Sequence, residues 1–203
     1  MTNAKALKNG GKGALEHSER FGASVISRVL SAREYHDVWI TIAGDALRAH
    51  YLLQMGKFGR LFEATETAAR LAFIVTLCSL YDTDPRGVSI KRYANHVWRG
   101  KTAPADWRRR FKSASKKAAR LYQLRSHYFA HVNEITFRQN LFQEARLTYQ
   151  GLSELMAETW SLVSDLTRIS GSEIPNSSVI ISDLQALFPK IKLPLTWADS
   201  NVS

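Results

Sequence analysis

The sequence has few of the residues and runs that mark several large protein classes. A single cysteine among 203 residues, Cys78, excludes an internal disulfide framework and a cysteine-rich zinc site. The longest strongly apolar run, around residues 71–80, is too short to cross a bilayer. Residues 1–20 are polar and lack the apolar centre of a signal peptide. We therefore expect no membrane association, no export and a reducing cytoplasmic compartment.

The short motifs of most well-marked enzyme classes are also missing. The sequence contains no glycine-rich phosphate loop, no GxGxxG after a strand and no GxSxG nucleophile elbow. It has neither the HExxH pattern nor paired cysteines for a metal. These absences leave the nucleotide, hydrolase and metalloprotease classes unsupported, and we expect no cofactor.

Positive charge is plentiful and unevenly distributed. The chain has 28 Lys and Arg against 18 Asp and Glu, which gives a formal net charge of +10. Residues 86–138 hold 14 of the basic residues and only 2 of the acidic ones. Such a concentrated basic field is expected of a protein that binds nucleic acid or another polyanion. The alternative is a solvated helical face that only keeps the protein soluble.

Apolar residues recur at helical spacing along most of the chain, which predicts long helices buried on one face. Only the brief stretch 178–181 has strand character. We predict an all-α, up-and-down bundle of four or five main helices. Helices are expected from Phe21 to a stop or bend at Gly56, then over residues 58–81, 89–98, 104–131 and 149–169. The inward positions of the first are predicted to be Val25, Val29, Ala32, Tyr35, Val38, Ile42 and Ala46. The apolar face of the second is predicted to comprise Leu61, Phe62, Ala68, Leu71, Ile74, Val75, Cys78 and Tyr81, with residues 71–80 at the centre of the core. The apolar stripe of the fourth is predicted to comprise Phe111, Ala114, Ala118, Leu121, Leu124, Tyr128 and Val132. The second, third and fifth helices are expected to end at residues 82–85, at Gly100 and at Gly171.

Three regions are expected along the chain. Residues 1–20, rich in glycine and lysine, predict a flexible N-terminal arm. Residues 21–170 form the helical bundle. Residues 171–203 form a C-terminal tail with one short helix over residues 182–188 and Trp197 as an expected docking anchor.

One segment, LRSHYFAHVN at residues 124–133, places an arginine and two histidines at the end of the most basic helix. His127 and His131 could bind a metal, although two histidines lack further ligands. A histidine near a helix C-terminus could instead act structurally, through the helix dipole and unpaired carbonyls. The third interpretation is a ribonuclease pair, because histidine titrates near neutral pH and arginine binds phosphate oxygens through its planar fork.

An arginine, five intervening residues and a histidine resemble the signature of the HEPN superfamily, and the Phe-Ala before the histidine resembles its AbiU-like abortive-infection branch. Residues 77–82, LCSLYD, and residues 89–91, SIK, are similar to the same branch. The resemblance extends over residues 35–169. It implies a small all-α domain of a kind that includes many metal-independent ribonucleases of toxin–antitoxin and phage-defence systems.

The resemblance assigns the family's arginine to Arg125 and its histidine to His131. Ser126 stands where Asn or Asp is more usual, and Asn133 stands where Asp is frequent. Some HEPN toxins carry at this second position a tyrosine that an antitoxin modifies, and Asn133 cannot accept that modification. The departures at Ser126 and Asn133 leave a non-catalytic role open.

Helix geometry separates the two motif residues. A six-residue step leaves Arg125 and His131 about 120° apart around a regular helix, so they do not share one face. Either the helix bulges or ends near Phe129, or pairs from two chains meet. The resemblance implies the latter, a homodimer with a composite cleft that His127 could join.

We therefore expect a homodimeric, metal-independent endoribonuclease that leaves a 2′,3′-cyclic phosphate and serves as a toxin or phage-defence effector. His131 acts as general base or acid and Arg125 stabilises the phosphate, with Ser126, His127 and Asn133 in support. RNA and an antitoxin or other defence protein are the expected partners. The alternative is a non-catalytic HEPN-like module that binds nucleotide, nucleic acid or protein. The RNA backbone is expected to contact Lys112, Lys116, Lys117 and Arg120.

Overall fold

The computed structural model describes the backbone of residues 4–43, 45–99, 101–130, 148–172 and 174. Side chains are described for residues 20–43, 59–99, 101–122, 148–172 and 174. Five helices and no strands occur in these residues, which confirms the predicted all-α fold. The helices are α1 (Ala4–Ala43), α2 (Asp45–Leu80), α3 (Ile90–Trp98), α4 (Ala105–Ala130) and α5 (Tyr149–Ser170).

The ends of α5 follow from local capping. The hydroxyl of Thr148 accepts a hydrogen bond from the backbone N–H of Gly151 at 3.0 Å. Gly171 ends the helix in the left-handed conformation at φ 72°, where glycine carries no Cβ penalty. The predicted start at Tyr149 and the predicted stop at Gly171 are both confirmed.

The break after α2 is a pair of side-chain turns. Asp82 Oδ1 accepts from the N–H of Asp84 at 3.0 Å, and Asp84 Oδ1 accepts from the N–H of Arg86 at 2.8 Å. The Arg86 side chain also bonds Asp84, and these bonds lower the pKa of that carboxyl. Aspartate favours such turns because its carboxylate substitutes for a backbone carbonyl. The predicted end of α2 before Pro85 is confirmed.

α3 begins after Ser89, as predicted, although the Ser89 side chain makes no capping hydrogen bond. The helix ends at Arg99, which adopts the left-handed conformation at φ 43°. The sequence suggested Gly100 for this role, and Gly100 lies outside the described residues. A non-glycine residue can take this conformation when the helix end demands it, at some conformational cost.

The boundary between the first two helices differs from the prediction. α1 ends at Ala43 and α2 begins at Asp45, whereas the predicted stop, Gly56, lies inside α2. Glycine within a helix costs only about 1 kcal/mol relative to alanine, which a long helix tolerates. The presence of Gly56 was therefore a weak reason to end a helix.

α1 also starts earlier than the sequence analysis predicted. It begins at Ala4 and includes the segment expected to be a flexible arm. Alanine, leucine, lysine and glutamate in this segment are strong helix formers and can extend a helix that already has a packed core-facing portion. The mobility of residues 1–20 and the domain limits remain predictions. The predicted tail helix and Trp197 lie outside the described residues.

The inward line of α1 departs from the prediction after Ala32. His36 and Trp39 are buried at 3% and 1% exposure, while Tyr35 is 39% exposed and Val38 is half-buried. From Val25 through Val29 and Ala32, the buried positions are spaced four and then three residues apart, and His36 and Trp39 continue this alternation. The predicted step from residue 32 to residue 35 was wrong because a helical stripe drifts out of register when steps of three are repeated.

The structure divides into two compact units. One comprises Met1–Ala32 and Ile74–Pro175, and the other includes Arg33–Phe73. In the second unit, the rings of His36 and Trp39 lie 5.2 Å and 5.8 Å from the ring of Phe73. The predicted inward positions Leu61 and Ala68 are exposed there.

The core of the first unit includes the C-terminal part of α2, as predicted. Ile74, Leu77, Cys78 and Leu80 are all buried at 1% exposure or less. None of the helices in the described part of the chain combines the length and apolar character needed to cross a membrane.

α1 and α3 approach closely at Gly22, where a Cβ would lie 2.9 Å from Cε2 of Tyr93. The Tyr93 ring is buried and its hydroxyl bonds that of Ser170 at 2.8 Å, which restricts its movement. We expect Gly22→Ala to destabilise the protein by about 1–3 kcal/mol in urea unfolding. Gly59 is the control, since its Cβ would meet nothing within 4 Å. If Gly59→Ala is as destabilising as Gly22→Ala, the packing argument is wrong.

Candidate functional site

Helix α4 carries the first part of the predicted site. Arg125, Ser126 and His127 lie within α4, and their side chains are outside the described residues. His131 and Asn133 lie outside the described residues altogether. The structure therefore shows how the motif-bearing helix is held and which direction each position takes around it.

Arg110 joins α4 to α5 at three points. Its guanidinium donates to Glu158 Oε1 at 2.8 Å, to Asp165 Oδ2 at 2.9 Å and to the Ser161 hydroxyl at 2.9 Å. Partial burial lowers the pKa of Arg110, but the bonds that it donates to the two carboxylates outweigh this effect, so the pKa is raised overall. The planar fork of arginine makes such a multipoint contact directional, which holds α4 against rotation on α5.

Trp107 provides a second contact between the same helices. Its indole Nε1 donates to the backbone carbonyl of Leu162 at 3.2 Å. Its ring stacks on Phe111, with centroids 5.1 Å apart, and meets Trp98 edge-on at 4.8 Å. The aromatic cluster therefore joins the end of α3, the start of α4 and the middle of α5.

α2 contacts α4 just before the motif. The Tyr122 hydroxyl donates to the backbone carbonyl of Cys78 at 3.0 Å, near the end of α2. The same carbonyl also accepts from the backbone N–H of Tyr81 at 3.0 Å, so both of its lone pairs are used. Tyr122 lies three residues before Arg125, so the helix is held close to the start of the motif.

Tyr81 and Thr159 form a buried hydroxyl pair between α2 and α5. Their oxygens lie 2.7 Å apart, and the Thr159 hydroxyl also lies 2.6 Å from the carbonyl of Leu155. A threonine has one hydroxyl proton, so it donates to Leu155 and accepts from Tyr81. Burial of Tyr81 raises its pKa, and the bond to Thr159 opposes this only in part.

The raised pKa of Tyr81 predicts a loss of stability at alkaline pH. An unfolded tyrosine ionises at about pH 10, whereas folded Tyr81 keeps its proton, so the unfolded state binds fewer protons above that pH. Between about pH 10 and 11 this group is expected to remove about 1 kcal/mol of stability. Urea unfolding across this pH range should show that the free energy of unfolding declines less steeply with pH in Tyr81→Phe than in the wild type. Identical pH dependence in the two proteins would contradict the raised pKa of Tyr81.

The buried residues of α4 lie along one line of the helix. Trp107, Ala114, Ala118 and Leu121 are buried, and their spacing keeps them within about 60° of one another. Arg125 lies four residues beyond Leu121, so its position continues the same line. The backbone position of the motif arginine therefore falls in the sector of α4 that carries the buried residues.

Three cations lie on the opposite side of α4. Lys112, Lys116 and Arg120 are exposed and four residues apart, and none has an acidic partner among the residues that the structure describes. We call these three residues the cationic stripe. Arg125 lies nine positions after Lys116, which puts the two positions about 180° apart around the helix.

The structure gives Lys117, the fourth predicted RNA contact, a protein partner. Its Nζ lies 3.4 Å from Glu154 Oε2 of α5. Arg109 is likewise paired, at 2.6 Å, with Asp106. Sequence reasoning assigned Lys117 to RNA because the acidic partner lies on a helix that is distant along the chain.

The contacts that hold α4 were not assigned a role from the sequence. Arg110 was counted with the other cations, Trp107 was missing from the predicted stripe, and Tyr122 was not singled out. The sequence offers one indication of these roles, which is that each of the three residues falls on or beside the apolar line of the helix.

A family comparison matches most of the chain. The profile of a HEPN family, described as AbiU2, matches residues 16–182. The chain belongs to the AbiU2 family of HEPN proteins. The match includes α2 to α5 and the whole segment 124–133, which confirms the resemblance noted in the sequence. No curated protein and no solved structure matches the chain.

Family membership and the fold agree. The AbiU2 family is of HEPN type, and the described residues are all helical apart from caps and turns. Among those described residues, no three His, Cys, Asp or Glu side chains cluster in a way that could hold a metal ion.

Proposed function

We propose that this AbiU2-family protein is a metal-independent endoribonuclease that acts as a homodimer in a toxin or phage-defence system. The observation that supports this most is the family match, which includes the Arg125 and His131 motif. Arg125 lies on α4, the most cationic of the described helices. The anchoring of α4 adds support, because a catalytic group must be held in a defined geometry.

The proposed reaction uses a nucleophile that belongs to the RNA. His131 removes the proton from a ribose 2′-hydroxyl, and the 2′-oxygen attacks the neighbouring phosphorus. The bond from phosphorus to the 5′-oxygen breaks, and that oxygen takes a proton from a general acid. Arg125 stabilises the negative charge that develops on the phosphate. The products carry a 2′,3′-cyclic phosphate and a 5′-hydroxyl.

A dimer supplies the second proton carrier in this proposal. Arg125 and His131 of one chain are separated by about 120° on a continuous helix, so one chain does not present both to one phosphate. Two copies that pair their motif helices bring two arginines and two histidines to one cleft. One His131 then acts as base and the other as acid. Ser126, His127 and Asn133 are placed as supporting groups.

The test is cleavage of end-labelled RNA by purified protein in EDTA. We expect cleavage to persist in the chelator and the fragments to carry 2′,3′-cyclic phosphate ends, identified by their resistance to phosphatase and sensitivity to acid. Fragments with 3′-hydroxyl ends would contradict the mechanism. Binding of RNA without cleavage would favour the alternative, a non-catalytic module, which the unusual Ser126 and Asn133 support.

A further inference from the structure

We propose that the cationic stripe, Lys112, Lys116 and Arg120, is an exosite that binds the phosphate backbone of RNA away from the cleavage centre. This inference rests on the proposed function and adds to it a second, separate contact surface. It concerns only the first compact unit, which contains both α4 and α5.

The stripe belongs to the part of α4's charge that the fold leaves available, as does the exposed Arg108 four residues before Lys112. Arg110 is occupied by α5, Lys117 is paired with Glu154 and Arg109 is paired with Asp106. The stripe residues, by contrast, have no acidic partner within the described residues. The protein therefore uses one group of α4's cations to hold the bundle and leaves a second group facing solvent.

The spacing of the stripe suits an extended polyanion. Its members follow one another at four-residue steps, so they are about 6 Å apart along the axis and together cover about 12 Å. Successive steps also turn by about 40°, which gives the stripe a gentle slope across the helix. A strand lying along α4 can place successive phosphates near successive cations.

The neighbouring side chains favour phosphate contacts over other kinds of binding. Ser113 and Ala119, beside the stripe, are small and exposed, and α4 contributes no large exposed apolar side chain among the described residues. An amphipathic membrane helix needs bulky apolar residues next to its cations. Base recognition in single strands needs stacking aromatics. A surface with cations alone reads the backbone, which carries no sequence information.

The position of the stripe on α4 separates it from the proposed cleavage centre at Arg125 of the same chain. Lys116 and Arg125 lie on opposite sides of α4, so a phosphate held at the stripe is not the phosphate held at Arg125 of the same chain. The stripe therefore acts on substrate capture. Its loss is expected to raise KM and leave kcat unchanged, because it contributes nothing that is specific to the transition state.

The experiment measures binding and cleavage in the same variants. The binding probe is a fluorescent DNA oligonucleotide, which has the phosphates but lacks the 2′-hydroxyl and so is not cleaved. For the variant with all three stripe residues changed to alanine, we expect affinity to fall about 10- to 100-fold near 0.1 M salt. In a plot of the logarithm of the association constant against the logarithm of the salt concentration, the slope should become less negative by about 2, because three phosphate contacts are lost.

Lys117→Ala is the matched control for Lys116→Ala. The two variants lose the same charge at adjacent positions, but Lys117 is paired with Glu154. We expect Lys116→Ala to weaken binding several-fold more than Lys117→Ala. Equal effects would show that net charge alone drives binding and would overturn the exosite.

The two proposals fail in different ways. If the stripe variant loses DNA affinity and the wild type cleaves no RNA, the ribonuclease proposal is wrong and the exosite stands. If the wild type cleaves RNA and the stripe variant has an unchanged KM and salt slope, the exosite is wrong. A stripe variant that loses binding to anionic lipid vesicles and keeps DNA affinity would also overturn it.

Discussion

His131→Ala is expected to reduce RNA cleavage by about 10²- to 10⁴-fold, the range that a positioned general acid or base contributes. Arg125→Ala is expected to cause a loss of about 10²- to 10³-fold, since it removes charge stabilisation from the transition state. Both losses should appear in kcat, because neither group acts mainly in capturing the substrate.

The measurement is the rate of cleavage of a labelled RNA at saturating substrate. His127→Ala is the matched control for the histidine, because it lies four residues earlier in the chain and has only a supporting role. Arg125→Lys keeps the charge but lacks the planar fork, so we expect it to recover only part of the activity. Circular dichroism and the elution volume of each variant establish that fold and assembly are retained.

A different ranking would change the assignment of roles. Wild-type rates in both His131→Ala and Arg125→Ala would contradict the proposed chemistry. A larger loss for His127→Ala than for His131→Ala would move the proton transfer to His127. Mixing the two inactive variants offers a further check, since the heterodimer has one Arg125 and one His131 and lacks the second proton carrier. We therefore expect it to recover only part of the wild-type activity.

Trp107→Ala is expected to produce the largest loss of stability, about 3–5 kcal/mol. Trp107 is buried at 6% exposure, stacks on Phe111 and donates to the carbonyl of Leu162. Truncation leaves a cavity where α3, α4 and α5 meet. The whole stability of a typical domain is about 5–15 kcal/mol, so the loss is a large fraction of it.

Thermal and urea unfolding measure this effect. The midpoint temperature of Trp107→Ala should fall by about 6–20 °C. Trp107→Phe keeps an aromatic ring but loses the bond to the Leu162 carbonyl, so its loss should be smaller. The half-buried Trp98 gives a comparison from the same cluster, and a larger loss for Trp98→Ala would contradict the central position assigned to Trp107.

Local signals predicted the helix ends well. The aspartate turn before Pro85, Ser89 before α3 and the left-handed Gly171 after α5 each act within a few residues, so sequence reasoning could find them. The family resemblance also came from a short segment, and the family match confirms it.

Sequence reasoning was less successful where distant residues decide the outcome. The burial of His36 depends on Phe73 from another helix, and the pairing of Lys117 depends on Glu154. The pattern of apolar residues in one helix does not show which of two adjacent positions will contact the neighbouring helix. Gly56, predicted to be a stop or bend, does not end a helix, because a long helix tolerates the cost of one glycine.

The candidate site was predicted only as far as its helix. Sequence reasoning placed Arg125 near the end of a basic helix, and the structure adds that its position continues the buried line through Leu121. That alignment depends on which side of α4 faces the core. The many basic residues around the motif make this side difficult to identify from the sequence. The roles of Arg125 and His131 remain predictions.

The bond between Tyr122 and Cys78 has a consequence for how the motif can vary in length. It fixes the rotation of α4 about its axis just before Arg125. The number of residues between Tyr122 and Arg125 therefore determines the angular position of Arg125 around the helix. One inserted residue would turn Arg125 by about 100° and move it off the inward line, although every contact before it would remain. Seven inserted residues would complete nearly two turns and return it to within about 20°. A single inserted residue therefore puts the motif out of rotational phase, whereas seven restore the phase but move Arg125 by about 10 Å along the helix axis.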